Sequence, residues 1–153
     1  MALRNIVQDT DSKIRKKSKK VTEFDQDLRQ LLDDMKDTME NASGLGIAAA
    51  QVGVLKRAFI INHNNMFIEF INPEIVEKSG EQENIEGCLS IKKYTGKVQR
   101  PNMVKVKAYD RYNNKFELKV EGFMAAAICH EYDHLEGVLF TDKALEVYDL
   151  EED

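Results

Sequence analysis

From Thr22 to Asn41 the apolar residues Leu28, Leu31, Leu32, Met35 and Met39 recur at three- and four-residue intervals among charged neighbours, and Ser43-Gly44 follows as a stop. That spacing predicts an amphipathic helix laid on a core. From Arg57 to Val76 the pattern changes to two β-rich runs, AFIIN and FIEFI, separated by the polar His63-Asn64-Asn65. A hairpin is the simplest reading. Val104, Val106 and Ala108, then Phe116, Leu118 and Val120, alternate with polar residues on either side of Asn113-Asn114. This predicts a second hairpin with one wetted face.

The stretch from Gly122 to Glu136 reads differently. Phe123, Met124, Ala125, Ala126, Ala127, Ile128 and Cys129 form an unbroken apolar run of helix formers, leading into His130, Glu131, Asp133 and His134. A helix apolar on all sides is a buried one, and charges carried into it need partners or a metal.

The pattern shows no repeat, linker or low-complexity tract, so 153 residues predict one domain, residues 1–153, with a single core. A net charge of -5 removes any overall positive field, so no direct nucleic-acid readout and no attraction to an anionic membrane are expected. Any ribosome contact would need a local patch. MALRNIVQDT lacks the apolar segment of a signal peptide, and no run approaches the roughly 18 apolar residues of a membrane span. The expected location is the cytoplasm. There Cys88 and Cys129 suggest free thiols or ligands more than a disulfide.

His130 and His134 stand at i and i+4, so both rings project from one helix face and can reach one metal ion. Glu131, between them, can serve the protons of a water at that metal. A third ligand is needed. The metzincin pattern fails because Phe140 stands where its last histidine belongs, and the tail offers only Glu146, Glu151 and Glu152 to a thermolysin-like arrangement. Cys88, within IEGCLS, is the better candidate, with Gly87 leaving the backbone free to approach a metal. Cysteine is equally often a small core residue. A third segment, GLGIAAAQVG from Gly44 to Gly53, ends near Gln51, whose uncharged amide suits an oxyanion hole. On its own, that segment reads as a helix stop followed by a close-packed strand.

Together, Gly44-Leu-Gly-Ile-Ala-Ala-Ala-Gln51, Glu86-Gly-Cys-Leu-Ser90 and His130-Glu-Tyr-Asp-His134 resemble the peptide deformylase motifs GxGxAAxQ, EGCLS and HExDH, in that order. The resemblance runs from near the N-terminus to about Asp142. It implies an α+β fold, with mixed and antiparallel strands around a central buried helix carrying HExDH. It also implies removal of the N-formyl group from the initiator methionine of nascent polypeptides, by a monomer. Cys88, His130 and His134 would hold one divalent metal, Fe(II) in the cell and Zn(II), Ni(II) or Co(II) after purification. Glu131 would be the general acid/base, with Gln51 and the backbone N–H of Leu89 as oxyanion donors. Gly44, Leu45, Gly46, Glu86, Gly87, Phe123, Ala126 and Ala127 would meet the substrate.

Lys92 departs from the usual proline, Cys129 replaces a frequent glutamine, and the long C-terminal helix of many bacterial members is missing. Ala126 and Ala127, four and three residues before His130, should share its face and leave a roomy pocket for the formylated side chain, partly filled by Phe123. The competing readings are a general HExxH peptidase and a closed structural zinc domain.

Overall fold

The computed structural model describes residues 2–150. In chain order it contains α1 (Gln26–Asn41), β1 (Gly46–Ala48), β2 (Ala58–His63), β3 (Met66–Ser79), β4 (Gln82–Cys88), β5 (Ile91–Arg100), β6 (Met103–Tyr109), β7 (Lys115–Glu121), α2 (Phe123–Leu135), α3 (Phe140–Lys143) and β8 (Glu146–Asp149). One sheet runs β1-β2-β3-β6-β7 and a smaller one β4-β5-β8. Every pairing between these strands is antiparallel, and an isolated bridge between Lys19 and Lys56 is parallel.

The amphipathic helix begins four residues later than its apolar pattern suggests, because Asp25 caps it by accepting the Leu28 N–H at 3.0 Å. It ends at the expected Ser43-Gly44 stop, where Ser43, with a φ of 58°, takes the left-handed turn. Leu28, Leu31, Leu32, Met35 and Met39 are all buried, against Ile47, Ala58, Ile60 and Ile71 of the large sheet.

The opposite face of that sheet buries Phe59, Ile61, Phe70, Val104 and Val106 against Ala125 and Ile128 of α2. Phe59 and Phe70 stack with ring centroids 4.7 Å apart. β2 is therefore covered on both sides, which is why AFII reads as an unbroken apolar run. Asn64 and Asn65, both at positive φ, close the β2–β3 hairpin. β3 extends to Ser79, past Val76, and its register shifts near Asn72. There the Asn72 side chain accepts the Val21 N–H and donates to the Val21 carbonyl, tying down the extended segment before α1. The second hairpin forms as expected, from Met103 to Glu121.

The smaller sheet was not visible in the residue pattern. Its strands alternate weakly, and β8 is exposed throughout, yet it pairs with β5 from Tyr94 to Lys97. It packs through Ile91 and Val98 on Ile14, Leu139 and Phe140. The helix α2 thus meets the large sheet with Ala125 and Ile128 and turns His130, Asp133 and His134 toward β4 and β5. No helix among the described residues is long and apolar enough to cross a membrane.

Candidate metal centre and active-site cavity

Period two along β4 sends Glu86 and Cys88 to the same face, toward α2. A register shift between them reshapes the strand end beside the site. Cys88 Sγ lies 3.4 Å from His134 Nε2, and one potential ligand atom each from Cys88, His130 and His134 fall within 4.8 Å of one another. Glu86 Oε1 sits 2.8 Å from His130 Nδ1, leaving Nε2 of that ring to face inward. A thiol and two imidazoles this close fit a borderline divalent metal.

Glu86 is itself held. Arg100 donates to both of its carboxylate oxygens at 2.8 Å and, through Nη1, to Asp133 Oδ2 at 2.7 Å. Lys143 Nζ reaches Asp133 Oδ1 at 3.0 Å. Burial alone would raise the Glu86 pKa, but hydrogen bonds from Arg100 and His130 outweigh it and bring it down to about 2. Arg100 escaped the sequence reading, and Asp133 stood there only as a buried charge in need of a partner. Two signs point to them: an arginine two positions after the inward Val98, and an acidic residue inside a buried helix that requires a cation.

Glu131 is buried, and its Oε1 has no hydrogen-bond partner among the described residues. Burial pushes its pKa up to about 7. In the metal-free protein burial opposes charge on His130, but hydrogen bonds to Cys88 and Glu86 win and raise its pKa well above the ordinary value. Burial, with His130 alongside, drives His134 well below it.

Gln51 is the third residue of a short 3-10 turn, Ala49–Val52, that follows β1 directly. Its Oε1 accepts the Ala48 N–H at 2.9 Å, so the amide nitrogen points at the site and donates to Ser90 Oγ at 3.1 Å, with Cys88 Sγ at 3.5 Å. Ser90, fully buried, was not singled out from sequence. The glycines are explained by close approach. A Cβ on Gly46 would stand 2.8 Å from Glu131 Oε2, and one on Gly44 would stand 2.7 Å from Leu89 Cδ1. Gly87 differs from expectation, since its added Cβ meets only Thr95 Cγ2 at an ordinary 3.7 Å.

These groups open on a cavity of about 500 Å³. Its lining includes Gly44, Leu45, Gly46, Gln51, Glu86, Gly87, Cys88 and Leu89, with Phe123, Ala126, Ala127, His130 and Glu131 from α2. His134 sits behind the lining, and Asn84 and Ile85 are lining residues the sequence reading missed. Of the tail candidates, Glu146 is exposed and takes the Tyr148 hydroxyl, while Glu151 and Glu152 lie outside the described residues. Both cysteines are free.

The sequence matches the family profile of polypeptide deformylase over residues 3–148. The chain belongs to the polypeptide deformylase family. A peptide deformylase of Caldicellulosiruptor bescii is 54% identical over 152 residues, covering 99% of this chain and 92% of that protein. The crystal structure of the Thermotoga maritima peptide deformylase is 35% identical and superposes with a TM-score of 0.93, over 95% of this chain and 100% of that one. The Legionella pneumophila peptide deformylase is 43% identical with a TM-score of 0.90, over 93% of this chain and 86% of that one. Like its relatives, this deformylase is a metal-dependent hydrolase that removes the N-formyl group of nascent polypeptides. Its α+β fold agrees with theirs.

Proposed function

We propose that deformylation takes place in the α2 cavity, with Cys88, His130 and His134 holding one divalent metal, Fe(II) in the cell. The observation that carries this reading is the partnerless Glu131 Oε1, buried beside three clustered metal-ligand atoms. With no partner for that oxygen among the described residues, the carboxylate is free to move protons.

A metal in this centre supplies Lewis acidity and lowers the pKa of water toward about 7. Glu131 takes the proton from the water that attacks the formyl carbon, then delivers it to the leaving α-amine. Gln51 Nε2 and the Leu89 N–H donate to the formyl oxygen as it gains negative charge. Glu86, locked by Arg100, keeps the His130 ring from turning. Leu45, Phe123, Ala126 and Ala127 enclose the methionine side chain, while Gly44, Gly46 and Gly87 give the peptide backbone a stretch of cavity lining without side chains. The enzyme works as one catalytic domain and a monomer in the cytoplasm, meeting the ribosome transiently through a local patch.

Formate release from formyl-Met-Ala-Ser by anaerobically purified, Fe(II)-loaded protein tests the assignment. Stoichiometric formate and a free methionyl N-terminus are expected. Cleavage of an internal amide in a blocked peptide, with no formate from the formylated one, would reject it.

A further inference from the structure

Three large apolar side chains stand half-exposed around the cavity mouth: Leu45 at 51%, Ile85 at 60% and Phe123 at 48%. Exposed apolar groups hold a shape only when something fixes them from behind. Consecutive residues at the end of β2 touch two of the three, Leu45 through its backbone and Phe123 through its ring. The Asn62 N–H donates to the Leu45 carbonyl at 2.8 Å, and the His63 ring packs on Phe123 with centroids 4.5 Å apart and planes 34° from parallel.

The placement follows from strand geometry. Phe59 and Ile61 face α2, so period two carries His63 to the same side, at the level of the first residue of the helix. His63 pairs with Met66 across the Asn64-Asn65 turn, and both asparagines adopt positive φ, which pins the strand end. Phe123, Ala126, Ala127 and His130 fall at i, i+3, i+4 and i+7 and form one stripe on the cavity. Two alanines leave the middle of that stripe flat, so Phe123 is the bulky wall at its outer end.

We propose that His63 is a positioning residue for side-chain selectivity: by backing Phe123, it sets the pocket that grips a long apolar side chain on the formylated residue. This rests on the deformylase assignment above. Without the imidazole, the Phe123 ring has no stacking partner at its back and swings among rotamers, so a long side chain loses its wall. A formylated alanine never reaches that wall and loses nothing.

The test compares metal-loaded wild type, His63→Ala and His63→Phe on formyl-Met-Ala-Ser and formyl-Ala-Ala-Ser. For His63→Ala the ratio of kcat/KM values, methionyl over alanyl, should fall about three- to tenfold, carried by KM, as expected from loss of an aromatic pair. His63→Phe should restore the ratio. In a Phe123→Ala background His63→Ala should lower the ratio no further, because the two residues act as one unit. Should His63→Ala not fold, His63→Leu gives the same readout with bulk retained and the ring removed. A ratio unchanged within about twofold, an equal loss on both substrates, or additive effects of the two substitutions overturns the proposal. Absence of formate from the wild type on either substrate sinks the deformylase assignment instead, so the two failures are distinguishable.

Discussion

Against α2 the five-stranded sheet sets Phe59, Ile61, Phe70, Val104 and Val106, all fully buried, whereas the three-stranded sheet sets Glu86, Cys88 and Arg100 against the same helix. The first contact is dispersion and exclusion of water, and it fixes where the helix lies. The second is a chain of charge-assisted hydrogen bonds, from Lys143 and Arg100 through Asp133 and Glu86 to His130. The difference teaches that one helix can be anchored by one sheet and given its chemistry by the other. The burial that makes charge costly at Glu131 comes from the same packing that leaves Glu86 and Arg100 fully paired.

The largest effect should come from Glu131→Gln, which keeps shape and all three candidate ligands but removes the proton carrier. Turnover should fall about a hundred- to ten-thousandfold with metal content intact. The same substitution has a stability signature in the metal-free protein. Burial raises Glu131 from 4.5 to about 7. Below about 4.5 it is protonated in both folded and unfolded chains, and the folded state loses stability as pH rises through about 7. Glu131→Gln should therefore stabilise the metal-free fold at pH 8, by at most about 3 kcal/mol, and leave it unchanged at pH 4. Denaturant midpoints at the two pH values decide, and equal gains at both would break the argument.

The division between the sheets is tested next by Phe59→Ala and Glu86→Gln. Phe59→Ala opens a cavity in the large-sheet core and should cost about 3 to 5 kcal/mol of stability, while the folded fraction binds metal normally. Glu86→Gln keeps an acceptor for His130 and leaves Arg100 its bond to Asp133, but weakens the support of the ligand. Metal affinity should drop about ten- to a hundredfold, read by competition with a chelator. If Phe59→Ala weakens metal binding as much as Glu86→Gln does, the sheets do not divide the work.

A change in specificity alone is expected at the flat part of the helix stripe. Ala126→Ile fills space beside His130 and should lower kcat/KM for formylated residues bulkier than methionine more than for formyl-methionine, by about tenfold to a hundredfold. An equal loss on both substrates would show that Ala126 does not gauge side-chain size.

Much of the frame was legible because its physics is local. The α1 stripe and the alternating β6–β7 hairpin show the period of their elements, the unbroken apolar runs of β2 and α2 mark segments buried on all sides, and all four form. The candidate site was legible where its residue types are chemically unusual, a cysteine, two histidines and a glutamate, whereas the GLGIAAAQ segment pointed to it only through the family resemblance. The small sheet was hidden for the opposite reason. β4 alternates between exposed and half-buried positions, and β8 is wholly exposed, so neither strand has a hydrophobic signature. Their pairing depends on β5, which is decided by contacts distant in sequence.

By itself, then, the sequence determined the main helices, the large-sheet hairpins and the identity of the ligand and proton-carrying candidates, since periodicity and residue chemistry are written position by position. Only the tertiary structure decided that Arg100 ties Glu86 to Asp133, that Gly46 exists to admit Glu131, and that His63 stands behind Phe123. Each of those relations joins residues from 14 to 85 positions apart, and no local pattern records a distance closed only when sheets and helix pack together.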